Sequence, residues 1–328
     1  MRLISFVSGA SNDVRLGALT ADGCAIDLAA THEARSGNPN LVLSSMIDLI
    51  EAGAEGLELA AATIEAADER HILAPANFDY RAPLQRPIQL RDFANYEGHV
   101  LRSMETSMRT RAKREPDPEE ALKRFQESGQ YTIAPVWYQQ PIYFKGNRMS
   151  VIGHRQDVIW PSYARQMDYE LELACVIGAR GKDISRSEAD NHIFGYTIYN
   201  DFSARDALAY EMGFRMGPCK GKDFDTGNIF GPCIVTRDEI PDPYSLCFSI
   251  RINGVEVMSG TTAGSQHDFA RCIEHVSQSE TIYPGEIFGL GTVDYGCGFE
   301  SDTYLSEGDL VELEVERIGT LTNRLVRQ

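Results

Sequence analysis

Two glutamates separated by one residue, Glu170 and Glu172 in "MDYELELACVIG", open a segment that turns apolar at Ala174. Side chains two apart in a strand share a face. The two carboxylates therefore sit side by side, with Asp168 one step earlier on the same face. The uncharged run Ala174-Cys175-Val176-Ile177, closing at Gly178, places this strand near the core. Neighbouring carboxylates repel each other, and burying them is costly unless something pairs with them. The plain reading is the solvated face of an antiparallel strand; the sharper one is a site for a cation.

Two more acids favour the sharper reading. The aromatic and β-branched segment "FGYTIYNDFSARD" ends its strand pattern at Asn200-Asp201, and Asp201 follows Glu170 by 31 residues, which suits a strand returning beside the first. Asp92 stands beside an aromatic in "RDFANYEGH". Three or four carboxylates converging from separate strands make an oxygen-only site, which favours Mg²⁺, Mn²⁺ or Ca²⁺ over zinc or copper. No two histidines are spaced i, i+4, which also argues against zinc.

The elements that must position these acids belong to a chain of 328 residues with 43% hydrophobic content, enough for one large domain and a small one. A net charge of −17 excludes nucleic acid as a partner class. No apolar run approaches the ~20 residues of a membrane helix, and the N-terminus lacks the apolar region of a signal peptide. A cytoplasmic location with no membrane partner is the expectation. The seven cysteines form no C-x-x-C pair, and Cys175, Cys233 and Cys247 lie in strand-like apolar runs, so buried free thiols are expected.

Residues 1–30 alternate like a small β-meander, and 40–68 read as helices with Asn40 as a cap. The three prolines of 74–87 read as a linker, giving a small N-terminal domain over 1–80 and a catalytic domain over 81–328. From 94 to 129 the pattern is helical and highly charged, with Asp117 as N-cap, Pro118 at the first helical position, and a mobile connection expected at "RTRAKREP". From 131 onward β-rich segments dominate, interrupted by helix candidates near 186–194 and 266–277.

Taken together, "RDFANYEGHV", "YFKGNRMSVIG", "DYELELACVIG", "GYTIYNDFSARD", "GPCKGKDFDTGNIFGPCIV", "YPGEIFGLGTV" and "LSEGDLVELEVERIGTLTNRL" resemble the fumarylacetoacetate hydrolase family, in the family's order and over residues about 90–325. The resemblance implies an α+β, mainly β fold: a mixed β-roll C-terminal domain behind a small α+β N-terminal domain, with a lid-like helical segment about 95–130 and assembly as a homodimer. It implies Glu170, Glu172 and Asp201 as ligands of a divalent cation, Mg²⁺ or Mn²⁺ with Ca²⁺ admitted, and Asp92, seven residues before His99, as the fourth. Asp168 reads as a strand-end surface acid.

His99 matches the family's general base, a role suited to imidazole because its pKa lies near operating pH. Its orienting acid would be Glu105 or, by the family's late glutamate, Glu300. Lys222 matches the lysine that meets the substrate's oxygens, with Lys145, Thr226 and Thr292 as further substrate-facing residues. Arg205 and Asp206 read as a structural ion pair. Leu208 and Met212 stand where fumarylacetoacetases carry an amide and a tyrosine, which removes two grips on fumarylacetoacetate itself, and "YEMGFRMGPC" reads as a specificity wall. The basic cluster Arg102, Arg109, Arg111, Lys113 and Arg114 reads first as a solvated helix face, and more sharply as a lid over a dianionic substrate.

The implied activity is metal-dependent hydrolysis of a C–C bond in a β-diketo acid of the fumarylacetoacetate or acylpyruvate type, as in aromatic-compound catabolism, with His99 activating water. The alternatives are a 2-keto-acid decarboxylase, isomerase or dehydratase on the same site, or a non-catalytic keto-acid-binding protein.

Overall fold

A computed structural model describes residues 1–9, 12–214 and 216–327. The fold is mixed, with somewhat more strand than helix. Its centre is a twelve-stranded sheet in which Asn228–Thr236, Ile193–Asp201, Glu170–Ile177, Ile287–Cys297 and Leu90–Phe93 lie side by side in that order. The first three of these are buried at every position, which is why they read as near-continuous apolar runs rather than clean alternations. Alternation still sorts their faces. Leu171, Leu173, Cys175 and Ile177 join the larger core. Ala174 and Val176 face a second core built with Leu3, Leu28, Leu49 and Ile50 of the N-terminal segment. A five-stranded sheet packs beyond the larger core.

The strands Arg2–Ser8, Arg15–Leu19 and Ala25–Asp27 form the expected meander. The first also pairs with Asn228–Thr236, so the N-terminal strands extend the central sheet. The proline-rich stretch expected as a linker contains a strand, Phe78–Arg81, that pairs antiparallel with Arg2–Ser8. Pro75 and Pro83 lie outside it and leave its backbone donors intact. The division near residue 80 remains a proposal about folding units, because strands on its two sides share hydrogen bonds.

The charged segment forms a helical hairpin, Glu97–Ala112 and Pro118–Glu127, with its own small core of Met108, Ala112, Ala121 and Phe125. Asp117 caps the second helix, accepting from the Glu120 backbone N–H at 3.1 Å. The first half of the stretch expected to be mobile, 109–112, instead forms the last turn of the first helix, and 113–116 make the turn to the second. Arg109 pairs with Glu105 one turn earlier at 2.5 Å, and the Arg111 guanidinium lies 4.9 Å from the Phe125 ring centroid. Long basic side chains cover apolar surface here. The helix expected near 266–277 is Phe269–Ser277, whereas that near 186–194 shrinks to the single turn Ala189–His192 before a strand begins. All seven cysteines are free, but Cys247, at the start of its strand, is exposed rather than buried. No described helix is long and apolar enough to cross a membrane.

Candidate active site

Three of four adjacent strands deliver the acids, and the fourth, Ile287–Cys297, runs between two of them. Glu170 and Glu172 begin their strand; Asn200-Asp201 ends the antiparallel neighbour, with Leu171 opposite Asn200 and Glu172 opposite Tyr199. On the other side Glu172 faces Thr292, and Asp92 lies one strand further, paired with Gly289. Asp92 and Glu172 are thus separated by a whole strand, and Gly289 is what lets them meet. A Cβ there would lie 2.7 Å from Glu172 Oε2 and 2.8 Å from the Tyr199 ring. Two residues on, Gly291 takes φ +103°, a conformation few other residues adopt, and donates its N–H to Glu172 Oε2 at 3.0 Å. Thr292 donates its hydroxyl to Glu172 Oε1 at 3.3 Å.

Asp92, Glu172 and Asp201 bring carboxylate oxygens within 4.8 Å of one another, all buried. Burial, and then the Glu172 and Asp201 charges, push the Asp92 carboxyl well above its usual range. Burial and Asp201 do the same to Glu172. Asp92 Oδ1 and Asp201 Oδ1 are buried without a hydrogen-bond partner among the described residues. A cluster of three repelling acids with two orphaned oxygens fits a hard divalent cation, whose charge supplies the missing partner.

Glu170 stands apart from that trio. Its Oε2 accepts from Lys222 at 2.5 Å, and its Oε1 lies 2.7 Å from Arg205. Burial alone would raise its pKa, but Arg205 and Lys222 outweigh this and hold it below the usual carboxylate range. Lys222 also contacts Asp201 Oδ2. Burial works to lower the ammonium pKa, yet Asp201 and Glu170 keep it above its ordinary value and so protonated.

Asp168 is not a surface acid: it is wholly buried. Its Oδ2 accepts from Arg205 Nε and Nη2 at 2.8 and 2.6 Å, and its two oxygens take backbone N–H groups from Tyr169, Gly298 and Phe299. Arg205 therefore pairs with Asp168 and Glu170, not with Asp206, whose carboxylate caps the backbone N–H of Arg165 instead. The E-x-E strand and the S-A-R-D motif are locked together through this arginine.

His99 sits in the first turn of Glu97–Ala112, its backbone N–H donating to Asp294 Oδ1 at 2.7 Å. Its Nδ1 is 2.9 Å from Glu300 Oε1. Glu300 is held by Arg102 and by the Tyr295 N–H, and Arg102 stacks 3.7 Å from the Tyr295 ring centroid. Burial would raise the Glu300 pKa, but His99 and Arg102 bring it below its ordinary value. The other orienting candidate, Glu105, is spent on Arg109 at the surface. Cys297 Sγ also approaches both members of the pair, a neighbour that nothing in the "YGCGFE" spacing announces.

A cavity of about 420 Å³ gathers Asp92, His99, Glu170, Glu172, Asp201 and Lys222, with Thr292 in its wall. Leu208, Met212, Gly217 and Pro218 close one side; Arg215 of that expected specificity wall lies outside the described residues. Two expected substrate contacts fall elsewhere. Lys145 is exposed, with Nζ 3.7 Å from Glu280, and Thr226 Oγ1 accepts from the Ile159 N–H at 2.9 Å. A second cavity of about 450 Å³ shares Arg205, Leu208, Met212 and Phe299 with the first and reaches Arg111 and Arg114 of the hairpin.

Fold and cavity together define a class: a mixed α/β scaffold whose central strands present a carboxylate cluster suited to a divalent cation. The chain belongs to the fumarylacetoacetate hydrolase family; residues 91–326 match the family domain described as "Fumarylacetoacetate (FAA) hydrolase C-terminal". It is 30% identical over 329 residues to Xenopus laevis "Oxaloacetate tautomerase fahd2, mitochondrial", covering 99% of this chain and 90% of that one. It is 36% identical over 189 residues to human "Oxaloacetate tautomerase FAHD2B, mitochondrial", a match that spans 57% of this chain and 60% of the human protein. Maleylpyruvate hydrolase from Sphingobium sp. SYK-6, in complex with manganese (II) ion and pyruvate, shares the fold with a TM-score of 0.70 at 22% identity, covering 100% of this chain and 99% of that one.

Proposed function

We propose that this protein is a tautomerase of β-keto diacids of the oxaloacetate class, interconverting keto and enol forms in the acidic cavity. One observation carries the reading: His99, backed by Glu300, and the Lys222 ammonium open onto the same small cavity as the Asp92, Glu172 and Asp201 carboxylates. The names of its relatives support an isomerase ahead of the C–C hydrolase implied by the motifs. Leu208 and Met212, at the positions of the two missing polar grips, support a small substrate.

A divalent cation, Mg²⁺ or Mn²⁺, held by Asp92, Glu172 and Asp201 would act as a Lewis acid toward the α-keto-carboxylate. Glu170, paired with Lys222 and Arg205, would be the fourth ligand of such an ion. Glu300 fixes His99 Nδ1, which leaves Nε2 as the basic nitrogen. His99 Nε2 takes a proton from the carbon between the ketone and the second carboxylate. Lys222 meets the oxygen on which charge develops, and protonation there gives the enol. In the reverse direction the imidazolium returns the proton to carbon. Thr292 orients Glu172.

Hydrolysis is the second reading, favoured by the same His99–Glu300 pair, which could direct a water instead. The test follows enol absorbance for oxaloacetate, acetylpyruvate, fumarylpyruvate and fumarylacetoacetate, with Mg²⁺ or Mn²⁺, with EDTA, and in His99→Ala. The expected result is cation-dependent enol–keto conversion of oxaloacetate with mass conserved, lost in the variant. Two acids as products would establish the hydrolase instead, and turnover indifferent to EDTA and to His99→Ala would overturn both. We further propose the homodimer of the family and a cytoplasmic location.

A further inference from the structure

We propose that His99, Cys297 and Glu300 form a second cation site, selective for a thiophilic divalent ion such as Zn²⁺, and that filling it switches the enzyme off. The inhibitory half rests on the catalytic reading above; the binding half stands alone.

Three ligand atoms of different kinds meet there. His99 Nδ1 lies 2.9 Å from Glu300 Oε1, and Cys297 Sγ lies 3.8 Å from that nitrogen and 3.7 Å from that oxygen. Tetrahedral zinc with Zn–S of about 2.3 Å and Zn–N or Zn–O of about 2.0–2.2 Å has ligand-to-ligand edges of about 3.4–3.6 Å. The two sulfur edges need to close by only about 0.1–0.3 Å, while the nitrogen–oxygen edge opens by about 0.5 Å. Each corner is anchored from outside it. Cys297 is buried and sits opposite Glu170 in the sheet. The other oxygen of Glu300 is occupied by Arg102 and the Tyr295 N–H, which leaves Oε1 for the ion. The His99 backbone is tied to Asp294.

The ligand kinds separate this site from the cluster of Asp92, Glu172 and Asp201. Oxygen-only sites select hard ions, whereas imidazole with thiolate selects zinc. On binding, Cys297 loses its thiol proton to solvent. The imidazole proton leaves Nδ1, where the ion sits, and Nε2 carries the hydrogen instead. The bound set of one thiolate, one carboxylate and one neutral imidazole balances the ion's two charges. An Nε2 that already holds a proton cannot take one from substrate, so occupancy and proton transfer exclude each other.

The test uses Co²⁺ as a zinc probe, with Mg²⁺ in large excess to fill the carboxylate site. A near-ultraviolet thiolate-to-cobalt band, one ion per chain, is expected in the wild type. It should persist when the exposed or half-exposed Cys24, Cys219 and Cys247 are all changed to Ser, and vanish in Cys297→Ser and Cys297→Ala. Under the same Mg²⁺ excess, the Zn²⁺ concentration that halves turnover, with each protein referred to its own zinc-free rate, should be at least tenfold higher in Cys297→Ser than in the wild type. No band in the wild type, a band untouched by Cys297→Ser, or equal zinc sensitivity of the two proteins would overturn the proposal. Failure of the keto-acid reading would show as absent turnover with the cobalt band intact.

Discussion

Arg205→Met removes a cation from between two buried acids and leaves the shape of the side chain roughly in place. Arg205 gives Asp168 two hydrogen bonds, of 2.8 and 2.6 Å, and lies 2.7 Å from Glu170. Removing one partner of a buried ion pair costs about 3–5 kcal/mol. Asp168 would keep three backbone donors, from Tyr169, Gly298 and Phe299, which places the expected loss at the lower end, about 3 kcal/mol. With a urea slope of about 3 kcal/mol per molar, the unfolding midpoint should fall by about 1 M. Asp168→Asn should be destabilising too, but the double variant should cost less than the sum of the two, with a coupling of about 1–3 kcal/mol. The assay is urea unfolding followed by intrinsic fluorescence on all four proteins. A midpoint within about 0.2 M of wild type for Arg205→Met, or strictly additive losses, would refute the view that this arginine locks the two motifs together.

Glu300→Gln keeps a hydrogen-bonding group beside His99 but removes its charge; steady-state turnover should fall about 100-fold, while cation affinity measured by calorimetry stays near wild type, and a rate within threefold would remove Glu300 from the mechanism. His154, buried and accepting from the Thr322 N–H at 3.0 Å, has its pKa lowered by burial, and then by Arg155, from 6.5 to about 4. Its folded value lies below the unfolded one, so the unfolded chain binds the extra proton and stability falls as pH drops from about 6.5 toward 4. This residue should account for about 2 kcal/mol lost between pH 7 and pH 5, and His154→Asn should flatten that part of the profile in chemical unfolding; parallel profiles would contradict it. Arg111 and Arg114 line the cavity beyond Leu208 and Met212, so the double change to Gln should raise KM for diacids longer than oxaloacetate and leave KM for oxaloacetate alone; equal effects on both would return these arginines to the role of a solvated helix face.

The gathering of acids on core strands was legible in the sequence because its signals are local, although Glu170 pairs with Lys222 and Arg205 rather than joining the trio of Asp92, Glu172 and Asp201. The spacing of Glu170 and Glu172 is a property of a strand, the apolar run after them marks burial, and the acid at the end of "FGYTIYND" announces a second strand end. Helix signals of the same local kind, such as Asp117 followed by Pro118, also correspond to observed caps. Where a signal depended on what lay opposite, the reading went astray. Asp168 reads as a strand-end acid because its partners, Arg205 and the backbone at Gly298 and Phe299, are 37, 130 and 131 residues away. Lys145 and Thr226 lie inside matched motifs, but their side chains meet Glu280 and the Ile159 backbone.

The sequence by itself determined the inventory: a run of acids on core strands, one histidine near an acid-aromatic segment, one lysine between a glycine and an aspartate, and a family resemblance that orders them. Tertiary structure decided who meets whom. Parallel pairing of Leu90–Phe93 with Ile287–Cys297 puts Asp92 opposite Gly289, and the missing side chain there opens the gap through which Asp92 and Glu172 converge. The return of the chain after residue 294 brings Glu300 and Cys297 to His99, about 200 residues away in sequence, and so chooses Glu300 over Glu105. Periodicity records only which face a side chain takes along its own element; strand order and register across the sheet set the distances on which the chemistry depends.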